Sequence, residues 1–231
     1  MTEPEVSAPA VMRNYHEVLR NDLEKVLAPL VAAGNLAGFA TAWDGYCAAI
    51  AVHAAMEDGV EGAGGGSAAM LDFYFDGAAG ASVFKAEHVH EHASQRAVTA
   101  AAGEGTLALR AAFDAYRVEA EAHMQHEEDV MVPLVMRLPT PKAPKFAQWC
   151  VSAGIAHGGF EHFIAHGVES LATYGSGKNP PAVATRVWVH ALKAVCSPEQ
   201  WAAYLPIARA AAPPSIWASI VAEVPSLEAL S

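Results

Sequence analysis

Three times in the first 130 residues a histidine is followed four positions later by a second histidine or a glutamate: His53/Glu57, His88/His92 and His123/Glu127. Residues four apart stand one above the other on a helix face, about 6 Å apart. Each pair is therefore a polar patch on one side of a rod, and the chain must fold so that the patches meet or stay wet. The surrounding residues support helices. Alanine and leucine dominate, and runs of Val, Ile and Thr at period two are absent.

The punctuation divides the first 137 residues into four long helical segments. The first covers Val11 to Ala33, with Leu19, Leu23, Val26, Leu27 and Leu30 on one stripe and Gly34-Asn35 as a left-handed stop. Pro29 is expected to end or kink it. The second runs from Leu36 or Ala37 to Asp58, ahead of the Gly62–Gly66 cluster. A short aromatic patch, Leu71 to Phe75, reads as one turn packed across the end of the rods. The third spans Ser82 to Ala102 with Ser82 as N-cap, and the fourth spans Thr106 to Val132, where Pro133 should break it. Four rods with short or moderate connections predict an all-α chain built on an antiparallel four-helix bundle.

Three prolines between Pro139 and Pro144 mark a boundary. The expected division is a bundle over 1–138 and a helical extension over 139–231. In the extension, Lys145 to Tyr174 reads as helical, 175–181 as a loop and Ala182 to Val195 as a further helix. Ser197-Pro198 and Pro213-Pro214 start two more. Trp149, Trp188, Trp201 and Trp217 look like packing residues, so the extension is expected to cap the bundle or to form a homodimer surface.

Composition excludes several classes. With 53% hydrophobic and 17% charged residues the chain is not a disordered one. A formal charge of −11 has the wrong sign for binding nucleic acid. Cys47, Cys150 and Cys196 lie far apart, which suits neither a disulfide framework nor a zinc ribbon. No stretch of about 18 residues lacks charge, His and Pro, so no membrane span is expected. The acidic N-terminus shows no secretory signal. A cytoplasmic, reduced protein is the expectation. No Walker A, G-x-S-x-G or G-x-G-x-x-G motif competes for function.

Of 11 histidines, seven fall within the four rods, and every rod receives at least one, His16 being the contribution of the first. Composition alone gives roughly one acidic residue four positions after a histidine; the sequence has three, at Glu57, Glu127 and Glu161. The order carries more information than the count: a single His, then HxxxE, HxxxH and HxxxE, one set per rod. Imidazole with carboxylate suits iron, manganese or zinc, and bundle interiors build such sites from facing helices. Without a metal, a polar interior of this kind would hold unpaired donors and acceptors.

This order resembles the hemerythrin-like (HHE cation-binding) family, with further similarity in Glu127-Glu128-Asp129 followed by an apolar run and Pro133. The resemblance covers about residues 11–137. It implies a non-haem di-iron centre, two iron ions with zinc or manganese as substitutes, in a four-helix bundle. The implied ligands are His16 from the first helix, His53 and Glu57 from the second with Glu57 bridging, His88 and His92 from the third, and His123 with a carboxylate from the fourth. That carboxylate is Glu127 or Glu128, with Glu127 preferred. The implied small ligand is O₂, NO or peroxide, for sensing, storage or detoxification, and peroxide- or NO-directed redox activity is left open.

Two other readings stand beside it: a DinB-like metal-dependent hydrolase or transferase using three His on one metal, and a metal-free helical interaction module. His90 is expected to be exposed, and His126 either exposed or a partner of a ligand. The cluster His157, Glu161, His162, His166 and His190 in the extension is expected at the surface or an interface.

Overall fold

The computed structural model describes residues 8–62, 64–139, 143–177 and 179–228. Apart from a short ladder, in which β1 (Gly59–Val60) pairs antiparallel with β2 (Gly64–Gly65), its regular elements are helices. None of the described helices is long and apolar enough to cross a membrane.

The first rod begins with α1 (Ala8–Asn21), widens into a π-helical stretch (Asp22–Leu27) and continues as α2 (Ala28–Ala32). Pro29 therefore does not end it. A proline lacks the N–H for an i→i−4 bond, and its ring crowds the carbonyl four residues back. The π stretch changes the register immediately before Pro29, which then sits in the first turn of α2. Gly34 closes the rod at φ 66°, as its sequence position predicts. α3 (Leu36–Asp58) starts at Asn35, whose side chain accepts a bond from the Gly38 N–H.

α4 (Ser67–Tyr74) is two turns long rather than one and begins before the aromatic patch. Its Asp72 carboxylate accepts from the backbone N–H groups of Ala79, Gly80 and Ala81, each at 2.8 Å. The N-terminus of α5 (Ala81–Glu104) is thus capped across space by Asp72, and Ser82 lies inside the helix instead of serving as its cap. α6 (Thr106–Arg137) passes through Pro133. Pro133 faces solvent, so the carbonyl it frees can bond water. Met131, Leu134, Val135 and Leu138 remain packed against Phe84, Leu71 and Phe146, and that burial carries the helix past the break.

The expected single helix over Lys145 to Tyr174 is two, α7 (Ala143–His157) and α8 (Phe160–Tyr174). Gly158 and Gly159 both take positive φ, 90° and 77°, which residues with a side chain rarely adopt. α9 (Pro181–Val195), α10 (Pro198–Ala211) and α11 (Pro214–Glu223) follow. Ser197 and Gln200 form the reciprocal capping box of α10.

α5 lies along α6, α6 along α1, α5 along α3, and α3 along the π stretch and α2, so these rods enclose a common interior. α8 packs on α1 and α3, and α7 packs on α3. One continuous apolar core runs from Leu19, Trp43 and Phe113 through Phe163 and Trp188 to Trp201 and Trp217. At one level of this interior His16, His53, His88 and His123 meet, with Glu57 and Glu127 among them.

Candidate metal centre

His16 on α1, His53 and Glu57 on α3, His88 on α5, and His123 and Glu127 on α6 are all buried, His16 and Glu127 completely. They form two overlapping groups. His16 and His53 stand on one side of Glu57 and Glu127, and His88 and His123 on the other. Within each group of four, the ligand atoms lie within 4.8 Å of one another. This cluster of buried imidazoles and carboxylates could hold a metal ion.

The two carboxylates divide their oxygens between the histidine pairs. Glu127 Oε2 lies 3.0 Å from His16 Nε2 and 3.7 Å from His53 Nε2, while its Oε1 lies 2.9 Å from His123 Nε2 and 3.6 Å from His88 Nε2. Glu57 Oε1 lies 3.7 Å from His53 Nε2, and its Oε2 lies 3.4 Å from His88 Nε2. The paired rings stand nearly edge-on, with centroids 5.2 Å apart for His16/His53 and 4.7 Å for His88/His123. The four Nε2 atoms and all four carboxylate oxygens are buried without a hydrogen bond of good geometry. Leaving one such atom unpaired costs roughly 1–3 kcal/mol. These eight, arranged in two overlapping groups, suit a cation, which takes lone pairs from several directions at once.

A carboxylate stands behind three of the four imidazoles, hydrogen-bonded to His16 and His123 and close to His88 without hydrogen-bond geometry. His16 Nδ1 is 2.9 Å from Glu128 Oε1, His88 Nδ1 is 3.0 Å from Asp58 Oδ1, and His123 Nδ1 is 2.8 Å from Glu87 Oε2. Such partners fix the tautomer that presents Nε2 inward and raise ligand basicity. Arg20 anchors Glu128 at 2.8 Å and also bonds Glu121. Glu87 serves His126 as well, at 2.9 Å. Each of these carboxylates is the chain neighbour of a cluster residue on one rod and supports a histidine on another. Asp58 follows Glu57, Glu87 precedes His88, and Glu128 follows Glu127. That adjacency is a sequence signal that spacing within each rod does not reveal. It also separates the roles of Glu127, which lies inside the cluster, and Glu128, which stands behind His16.

The protein groups also attract protons. Burial pulls the His16 and His123 rings down, but bonds to Glu127, with Glu128 behind His16 and Glu87 behind His123, outweigh it and raise both to about 9. His88 is opposed by burial and raised to about 12 by Asp58, Glu127 and Glu57. Burial and the charge of Glu127 push Glu57 up. Glu127, although burial opposes it, is held well below the usual range by Glu57 and by the imidazoles on both sides. Protons and cations compete for these atoms.

His92 is not brought to the cluster. Half-buried, its Nδ1 lies 3.2 Å from Gln95 Oε1. The inward seam of α5 runs His88, Glu91, Gln95 and Val98, a 3-4-3 step that leaves position 92 beside it. Glu91 occupies the interior instead and accepts from Tyr116 Oη at 2.8 Å, with Tyr46 Oη 2.9 Å from Tyr116 Oη. His90 is exposed, 3.5 Å from Glu119.

In the extension, His157, Glu161 and His162 are exposed. His162 Nε2 meets the Gly45 carbonyl at 3.0 Å, and His166 Nε2 meets Asp22 Oδ2 at 2.6 Å. They form no further metal-binding group among the described residues. The three cysteines are free thiols.

Gly66, at the end of the Gly-rich stretch, lies against the end of α3. Gly66 lies so close to the backbone of Glu57 that a Cβ there would overlap the Glu57 carbonyl. Comparison of the chain with protein-family models, with curated proteins and with solved structures finds no match.

Proposed function

We propose that this chain is a hemerythrin-like protein: an antiparallel four-helix bundle of α1–α2, α3, α5 and α6, with a helical extension, that holds two iron ions and binds O₂, NO or peroxide. The observation that carries the reading is the sharing of Glu57 and Glu127 between two pairs of histidines. One ion would take His16 and His53, the other His88 and His123, and both carboxylates would bridge. This donor set of imidazole and carboxylate suits iron, with manganese and zinc as alternatives.

Charge supports the same reading. Two carboxylates and two divalent ions leave the interior net positive, and Asp58, Glu87 and Glu128 stand directly behind the imidazoles to offset it. Two nitrogens and two carboxylate oxygens per ion leave coordination positions open for a small ligand. Iron when bound supplies the affinity for O₂, NO or peroxide. The chain orients the nitrogens through its outer carboxylates and packs the cluster between rods. The test is metal analysis of the purified, iron-loaded chain: two ions are expected, and Glu127→Ala should abolish their retention.

A further inference from the structure

A cavity of about 80 Å³ lies against the outer edge of the cluster, between α1, α3, α4, α6 and the helices α7 to α9. His53 and Glu57 line it on one side, and its remaining walls are mostly apolar, with Met12, Met56, Val135, Phe146, Val151 and Leu192 among them. A water-sized group occupies roughly 10–15 Å³ on this measure, so there is room for about five to eight. That is more than a diatomic ligand fills.

Besides the cluster's own His53 and Glu57, three residues that line this space each carry a buried polar atom without a hydrogen-bond partner: Ser67 Oγ, Tyr15 Oη and Trp188 Nε1. Tyr15 is 2% and Trp188 1% exposed. Neither side chain is free to turn toward water. Tyr15 is stacked on Phe163 with centroids 3.9 Å apart, and Trp188 lies so close to Gly167 that a Cβ there would come within 2.9 Å of Nε1. An indole N–H only donates, and a phenol hydroxyl does either. Both are satisfied by an oxygen that accepts.

We infer that this cavity binds a small, mostly apolar organic molecule bearing a hydrogen-bond-accepting oxygen (a ketone, ether or alcohol), beside His53 and Glu57. The apolar walls exclude a charged ligand. The extension supplies most of the far wall, so enclosing this space beside the cluster is a role for it. The inference deepens the proposed function by naming an organic ligand for the same site, and its placement beside bound ions rests on that reading; the binding itself does not.

The test uses the full chain, iron-loaded and metal-free, titrated calorimetrically with cyclohexanone and with toluene, molecules of similar size that differ in the carbonyl. One cyclohexanone per chain is expected in both forms. Tyr15→Phe removes the hydroxyl and keeps the ring, whereas Trp188→Phe removes the indole N–H together with one of its two rings, so toluene serves as the control for the space opened; at least one should weaken cyclohexanone about 5–10-fold relative to toluene, the worth of one hydrogen bond. Thermal melts confirm that both variants fold. No binding of cyclohexanone, or cyclohexanone affinity unchanged in both variants, overturns the inference and assigns the two atoms to ordered water. A chain that binds cyclohexanone but retains no metal overturns the proposed function and leaves this inference standing. A chain that retains two ions and ignores cyclohexanone does the reverse.

Discussion

Glu57 and Glu127, on separate rods, each turn one oxygen toward His53 and the other toward His88. The two carboxylates are therefore the midpoint of the cluster, and each imidazole pair is one half of it. Removal of a shared residue should differ from removal of a residue that serves one half. Glu127→Ala is expected to leave almost no bound metal, whereas His53→Ala should leave about one ion per chain, weakly held. Elemental analysis after gel filtration checks both. Equal loss in the two variants would mean that the halves do not fill separately.

The carboxylates behind the imidazoles should tune affinity without supplying a ligand. Glu87 holds His123 and also bonds His126. Glu87→Gln removes the charge and retains an acceptor, and should weaken metal binding by roughly 10–100-fold, the usual range for such partners, with little change in helix content. Competition with a chelator gives the ratio. His90→Gln, at an exposed site on the same helix, should leave affinity unchanged.

Gly66 lies against the Glu57 carbonyl near the end of α3. Gly66→Ala would press a methyl group on the Glu57 carbonyl, forcing either the loop or the end of α3 to move. Overpacking of this kind costs about 1–3 kcal/mol. The expected result is a lower melting temperature together with weaker metal retention, read by calorimetry and metal analysis on one sample.

The stability of the metal-free chain and the gain from metal loading should depend on pH with opposite sign. In the metal-free chain, His16 and His123 bind protons more tightly folded than unfolded, with pKa values raised from an ordinary 6.5 to about 9. Their contribution is complete below about 6.5 and is lost as the pH rises through about 9. Cation binding must displace those protons, so affinity increases over the same interval. Melting temperatures at pH 6 and pH 9 should fall for the metal-free chain, and the gain on metal loading should grow. Free metal at a hundred times its dissociation constant adds about 2.7 kcal/mol.

Much of the helical architecture was legible in the residues. α3 ends at Asp58 and α6 begins at Thr106, where the punctuation put them. Three departures share a cause: the local rule was outweighed by packing or by a distant partner. Pro29 and Pro133 did not stop their helices, because a π register shift and a buried apolar face carried the chain past them. Ser82 did not cap α5, because Asp72 reached the same N–H groups from α4.

In the cluster, the four-residue spacing located five of the six residues that the structure brings together, with His16 added as the single histidine of the first rod, but it also selected His92. A helix has 3.6 residues per turn, so an inward seam alternates steps of three and four. From His88 the next inward position is Glu91 at one step and Gln95 at two; spacing alone cannot tell which step is taken. The support behind each imidazole was not read from single helices because it crosses between them. Asp58 and Glu87 stand in the sequence as acidic neighbours of Glu57 and His88, and Glu128 as an alternative ligand to Glu127 instead of the partner of His16.

The measurement that bears most directly on the shared pair of carboxylates is the metal content of the chain after air-free loading with ferrous iron and removal of excess, read together with its absorption spectrum in air. Two irons per chain with an oxo-bridge absorption band are expected. A chain that retains no iron, or only one iron without such a band, contradicts the account.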